Sequence, residues 1–164
     1  MKRRVLPRAV LAAILLALPA AADAPSDPPQ YERFDGDSVT IVDAFTKLEW
    51  DRRAVMTNVG FATASSGCSF LSTLQGTGRL PTVKELLTIV DEDPHVEYEF
   101  GKVVTKMIDA PGFPNTPVDL PYWTSTPAGA GKVWTLSFST GLMTAMSTDA
   151  AAPPEAKAHA RCVH

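Results

Sequence analysis

The chain has 164 residues, of which 45% are hydrophobic and 20% charged, and its formal net charge is −3. That balance suits one globular domain around one core and excludes a wholly disordered chain. The excess of acid excludes a general binder of nucleic acid or other polyanions, because phosphate and sulfate binding draws on Lys and Arg.

Residues 1–22 begin with Lys2, Arg3, Arg4 and Arg8, continue through an apolar run from Ala9 to Leu18 and end in small residues. This is the pattern of a secretory signal peptide, and the run is shorter than the roughly 20 residues a membrane anchor needs. Cleavage is expected after Ala22, before Asp23, and no nearby cysteine offers a lipid attachment point. Loss of four bases and no acids takes the net charge from −3 to −7 over the remaining 142 residues. Secretion or the periplasm is the expected location. Residues 23–30, DAPSDPPQ, read as a flexible leader, and the domain is expected to span 31–164.

Residues 39–42 are β-branched throughout, and Leu48-Glu49-Trp50 follows a short connection, which predicts two paired strands. Phe61, Ala64, Cys68 and Leu71 stand at helical spacing and predict a first helix with its seam on Cys68. In RLPTVKELLTIVD, Pro81 keeps Leu80 extended, Thr82 is placed to cap a helix, and Glu85 can reach back to complete a capping box. Val83, Leu86, Leu87 and Val90 would then form the buried face of a second helix, ended by Asp91-Glu92-Asp93-Pro94. Phe100, Val103, Val104, Met107 and Ile108 predict a third, shorter helix. Residues 110–121 hold four prolines and read as a long ordered loop.

Strands are expected at 122–125 and 133–138, the second with Trp134, Leu136 and Phe138 on one face. The Ser139-Thr140-Gly141 turn then leads into a hairpin with 142–146. Residues 149–160 read as a flexible excursion, and Arg161-Cys162-Val163 as a closing strand.

Cys68 and Cys162 are the only cysteines. In an oxidising compartment an even count points to a disulfide, which would close a loop of about 94 residues and stabilise the fold by roughly 4 to 5 kcal/mol on the chain-entropy model. A reactive thiol or a metal ligand is the alternative, with His159, Cys162 and His164 as a zinc set.

RLPTVKELLTIVD, FPNTP, YWTSTP, KVWTLSF with its STG turn, and ARCVH, in that order, resemble the Lcl C-terminal domain family, named from a bacterial collagen-like adhesin. The run RFDGDSVTIVDAFTKLEW is similar to the opening strand pair of that family, so the resemblance covers about residues 31–164. It implies an α+β, C-type-lectin-like fold, with two to three helices packed on antiparallel strands and one long-range disulfide from the first helix to the last strand, where Cys68 and Cys162 stand. The chain departs from the family at Thr77-Gly78, where Asp-Trp is usual, at Lys47, where a turn glycine is typical, and at 97–107, which reads as an insertion.

Catalytic constellations are missing: there is no G-x-S-x-G and no H-E-x-x-H. Calcium-lectin chemistry is incomplete, because Phe113 rather than an acid precedes Pro114-Asn115, and Asp119 is the only acid near the loop. Asp35, Asp37 and Asp43, and Asp91 to Asp93, read as solvated turns. No cofactor and no metal is expected.

The candidate ligand residues are Phe113, Asn115 and Asp119 in the loop, with Tyr122 and Trp123 as rings that either stack on a ligand or fill the core. The expected role is a non-enzymatic binding module for glycan or another cell-surface ligand. The rival is a structural or protein-interaction domain of the envelope with no small ligand. Lys102, Lys106, Lys132 and Arg161 are too scattered in sequence to define a basic patch, and oligomeric state is left open. Alkylation followed by intact mass should add nothing to the native protein and two groups after reduction; two free thiols without reductant would remove the disulfide.

Overall fold

Pro81 and the Thr82–Glu85 pair do locally what their chemistry dictates. Thr82 is extended, its hydroxyl accepts from the Glu85 backbone N–H at 3.2 Å, and the Glu85 carboxylate accepts from the Thr82 N–H at 2.7 Å. Both halves of the capping box are made. The helix they start, α2 (Val83–Leu87), is nevertheless only 5 residues long. Its core contacts are Leu86 and, just past its end, Ile89, while Leu87 turns outward.

The computed structural model describes residues 30–33, 39–73, 76–99, 101–151 and 156–164. The expected signal peptide, all of the expected leader but Gln30, and Asp35 and Asp37 lie outside these. Among the described residues the protein is mostly β-sheet with two short helices and one disulfide.

A three-stranded antiparallel sheet comprises β1 (Tyr31–Arg33), β2 (Thr40–Asp43) and β3 (Glu49–Asp51), in that order. The expected strand pair is present. Its connection uses Lys47 at φ 61, the left-handed backbone that a glycine adopts without cost. Asp43 is buried and closes this turn by accepting the N–H of Phe45 and Thr46, which makes it a structural acid.

After β4 (Met56–Val59) comes α1 (Phe61–Ser69), with Ala64 and Cys68 buried as the spacing predicted. A short hairpin of β5 (Ser72–Thr73) and β6 (Gly76–Thr77) follows.

The third helix does not form. Residues 90–108 build a hairpin of β7 (Val90–Glu99) and β8 (Lys102–Ile108), turning at Gly101 with φ 78. His95-Val96-Glu97-Tyr98-Glu99 alternates polar and apolar, and Val103-Val104-Thr105 is β-branched, so period two outweighs the helical spacing of Val103, Val104, Met107 and Ile108. The acids expected to end α2 therefore lie in β7.

The main sheet has five strands in the order β11, β10, β9, β12, β4, where β9 is Tyr122–Gly129, β10 Lys132–Leu136, β11 Met143–Ser147 and β12 Ala158–Ala160. Residues 158–160, expected to be flexible, are a buried strand. β12 lies antiparallel to β4 and parallel to β9. On β10, Leu136 is buried and Phe138 follows into the same cluster, while Trp134 is only half-buried.

Two apolar clusters result. One joins Trp50, Leu86, Ile108, Phe113, Tyr122 and Phe138; the other packs α1 on β9 and β12 through Ala64, Trp123, Ala160 and the disulfide. Cys68 and Cys162 are bonded, with Cα atoms 5.5 Å apart and a separation of 94 positions in sequence. Val163 bridges both Trp50 and Arg79, so the end of the chain ties the small sheet to the segment entering α2.

Arg79 also pairs with Glu85 at 2.7 Å, and with the Thr82 bonds this holds the Glu85 carboxyl at about 2, below its usual 4.5. A depressed carboxylate pKa means stability that is full above the unfolded value and lost as pH falls through the folded one. Glu85→Gln should therefore cost about 1 kcal/mol near pH 7, the pair being partly exposed. In urea unfolding the gap from wild type should close as pH drops from about 4.5 towards 2; a gap that stays constant would place the Glu85 contribution in packing alone.

Candidate functional site

Proline-rich chain has few backbone donors of its own, so a long ordered loop must be pinned by side chains from elsewhere. In residues 110–121 two arginines do this. Arg52 donates from Nε to the Gly112 carbonyl at 3.1 Å and from Nη2 to the Pro111 carbonyl at 3.0 Å. Arg161, with no exposed surface, donates from Nη2 to Thr116 Oγ1 at 2.7 Å and from Nη1 to the Asp51 carbonyl at 2.5 Å. Its guanidinium lies 4.7 Å from the centre of the Phe113 ring. A buried cation is tolerable here because two of its nitrogens donate to oxygens and its face meets an aromatic ring.

The loop is closed further by local bonds. The Asp109 carbonyl accepts from the Phe113 N–H and the Phe113 carbonyl from the Thr116 hydroxyl. Tyr122 donates its hydroxyl to the Pro117 carbonyl at 2.9 Å, and burial pushes its pKa up. At the far end Asp119 Oδ1 lies 2.9 Å from Nε2 of the buried His159, which donates to it.

The hairpin faces this loop. Lys106, almost wholly buried, is held by Glu97 at 2.7 Å and Glu99 at 2.5 Å. Burial works against its charge, but the two carboxylates outweigh that and raise its pKa, while the bond from Lys106 lowers that of Glu97. Between hairpin and loop runs a cleft of about 720 Å3. One wall is β8 from Lys102 to Thr105, the other is Pro117, Val118 and Asp119, and Ser139 also contributes. A smaller hollow of about 360 Å3 lies at Asn115 and Thr116 and shares Glu99 and Pro117 with the first.

Asn115 and Asp119 are thus exposed on the cleft side of the loop, Asn115 in left-handed backbone at φ 56. The expectation that Phe113 is exposed is overturned: it is 1% exposed and serves as the floor on which Arg161 rests. Tyr122 and Trp123 take the core alternative. Tyr122 packs edge-on against Phe138, and Trp123 packs against Phe61 and donates its indole N–H to the Val59 carbonyl at 2.8 Å. None of these three rings offers a face to a ligand.

The zinc alternative fails, because Cys162 is bonded to Cys68 and His159 to Asp119. Among the described residues no group of three or more His, Cys, Asp or Glu side chains is placed to hold a metal ion, and no helix is long and apolar enough to cross a membrane. Of the four bases too scattered to judge in sequence, Lys106 and Arg161 are buried.

Arg161, His159 and the hairpin wall were missed by the sequence reading. His159 lay in the segment read as a flexible excursion, and Arg161 in the closing strand, where it was weighed only as part of a basic patch. The available signal for the third was the alternation from His95 to Glu99.

A family model described as the Lcl C-terminal domain matches residues 39–164. The chain belongs to that family. Comparison with curated proteins and with solved structures gives no match.

Arg161→Met should cost about 2 to 4 kcal/mol in urea unfolding, because it leaves buried oxygens unpaired and removes the support of the loop. Arg52→Met, losing half-exposed bonds, should cost about 1 kcal/mol. Equal costs for the two would mean that Arg161 does not carry the loop.

Proposed function

We propose that the domain is a secreted or periplasmic, non-enzymatic binding module that takes a cell-surface ligand in the cleft between the β7–β8 hairpin and the 110–121 loop. The observation that carries this reading is the cleft itself, about 720 Å3 in volume and bounded on one side by a loop that Arg161 fixes from below. Preformed concavities of this size with a few polar groups around apolar walls are where proteins hold ligands. Val103, Val104, Pro117 and Val118 supply the apolar part; Lys102, Asp119 and Ser139 supply the polar part.

Two helices against antiparallel strands, with a disulfide joining α1 to the chain end, support a C-type-lectin-like reading of the α+β fold. Export is supported by the basic and then apolar amino terminus. Glycan is one ligand class consistent with this reading, though among the described residues no aromatic ring lines the cleft to stack on a sugar.

A protein-interaction domain without a small ligand is the second reading. It is favoured by the exposed hairpin face, where Tyr98 stands opposite Val103 and Val96 opposite Thr105.

A glycan array probed with the folded protein, with and without calcium, separates the two. Binding that Asp119→Ala or Asn115→Ala weakens about tenfold supports the sugar reading. No binding in either condition removes it.

A further inference from the structure

We propose that the cleft receives an extended polypeptide segment of a partner protein, which adds to β8 as a third strand of the hairpin sheet and sets an acidic side chain against Lys102. This rests on the reading of the cleft as the binding site and names the chemical class of its ligand.

The geometry points there through one hydrogen bond. Met107 in β8 donates its backbone N–H at 2.8 Å to the Phe138 carbonyl, outside the hairpin. Backbone groups alternate sides along a strand, and β8 keeps an unbroken register with β7 from Lys102 to Lys106. Thr105 and Val103 therefore aim their N–H and C=O groups the same way as Met107, away from β7. Both residues line the cleft. Among the described residues no backbone bond reaches these groups.

Two such residues stand roughly 7 Å apart, the repeat of a neighbouring strand. An unpaired strand edge is a template for added chain. Pro117 and Val118 on the opposite wall give alternate side chains of the added strand an apolar surface.

Charge narrows the partner. Lys106 is already neutralised by Glu97 and Glu99, whereas Lys102 has no ion pair among the described residues. The outer edge of β7 is a poor competitor, since Asp91, Glu92, Asp93 and Pro94 occupy it. A second copy offering its own β8 is disfavoured, because the loop at 117–119 stands before that edge in each molecule.

The test selects heptapeptides from a random displayed library against the full mature chain and follows the tightest, synthesised, by amide hydrogen exchange. At peptide ten times above its Kd, exchange at Val103 and Thr105 should slow about tenfold, with Val104 little changed. Lys102→Glu should weaken the peptide about three- to tenfold. Val103→Pro removes an outward N–H without removing a bond to β7, and should abolish binding in a protein that still folds.

Failure to recover any peptide, unchanged exchange at Val103 and Thr105, undiminished binding by Val103→Pro, or concentration-dependent dimers protecting the same amides would each overturn the proposal. If a glycan from the array perturbs Asp119, Val103 and Thr105 while peptides do not, the peptide claim falls and the cleft reading stands. If neither ligand perturbs them, both fall.

Discussion

Arg161 joins three parts of the chain that share no regular secondary structure with one another. Its guanidinium bonds the end of β3 through Asp51, bonds the loop through Thr116, and rests on Phe113, while its own backbone lies between β12 and the disulfide. A guanidinium suits this place because it spreads its charge over a flat surface, donates in several directions at once and stays protonated when buried. Without it, the buried oxygens of Thr116 and Asp51 would lose donors that a dry interior does not replace. The loop that walls the cleft is therefore tied directly to the core beneath it.

A second buried ionisable group lies nearby. His164 packs against Asp51 at 3.6 Å, and burial raises the Asp51 pKa even though the imidazole and Arg161 oppose the shift. The His164 ring also helps to leave residue 78 without room for a side chain. A Cβ at Gly78 would lie 2.8 Å from His164 Cε1 and 2.6 Å from the Cys68 carbonyl.

What the sequence made legible was local chemistry. The capping box at Thr82 and Glu85, the helical seam on Ala64 and Cys68, the strand pair before Trp50 and the turn after Phe138 each depend on residues within a few positions of one another. The errors came where one segment satisfied two periods. Val103, Val104, Met107 and Ile108 fit a helix as written, but the helix would have left Lys106 without Glu97 and Glu99, and those partners are brought close only by the hairpin. Phe113 looked exposed because proline-rich loops usually are; a cation from some 48 positions away turned it inward. Asn115 is exposed as expected, because nothing long-range draws it inward.

The hairpin enters and leaves the core at neighbouring points, Val90 and Ile108, which are cross-strand partners. Everything beyond them forms a separate two-stranded sheet. Such an appendage can lengthen, shorten or change its tip in residue pairs without altering the register of any strand in the five-stranded sheet. One wall of the cleft is thus free to diverge while the opposite wall, tied to Arg161, stays fixed. On the proposed reading of the cleft as a binding site, its ligand preference would change through the hairpin while the loop and the core beneath it stay as they are.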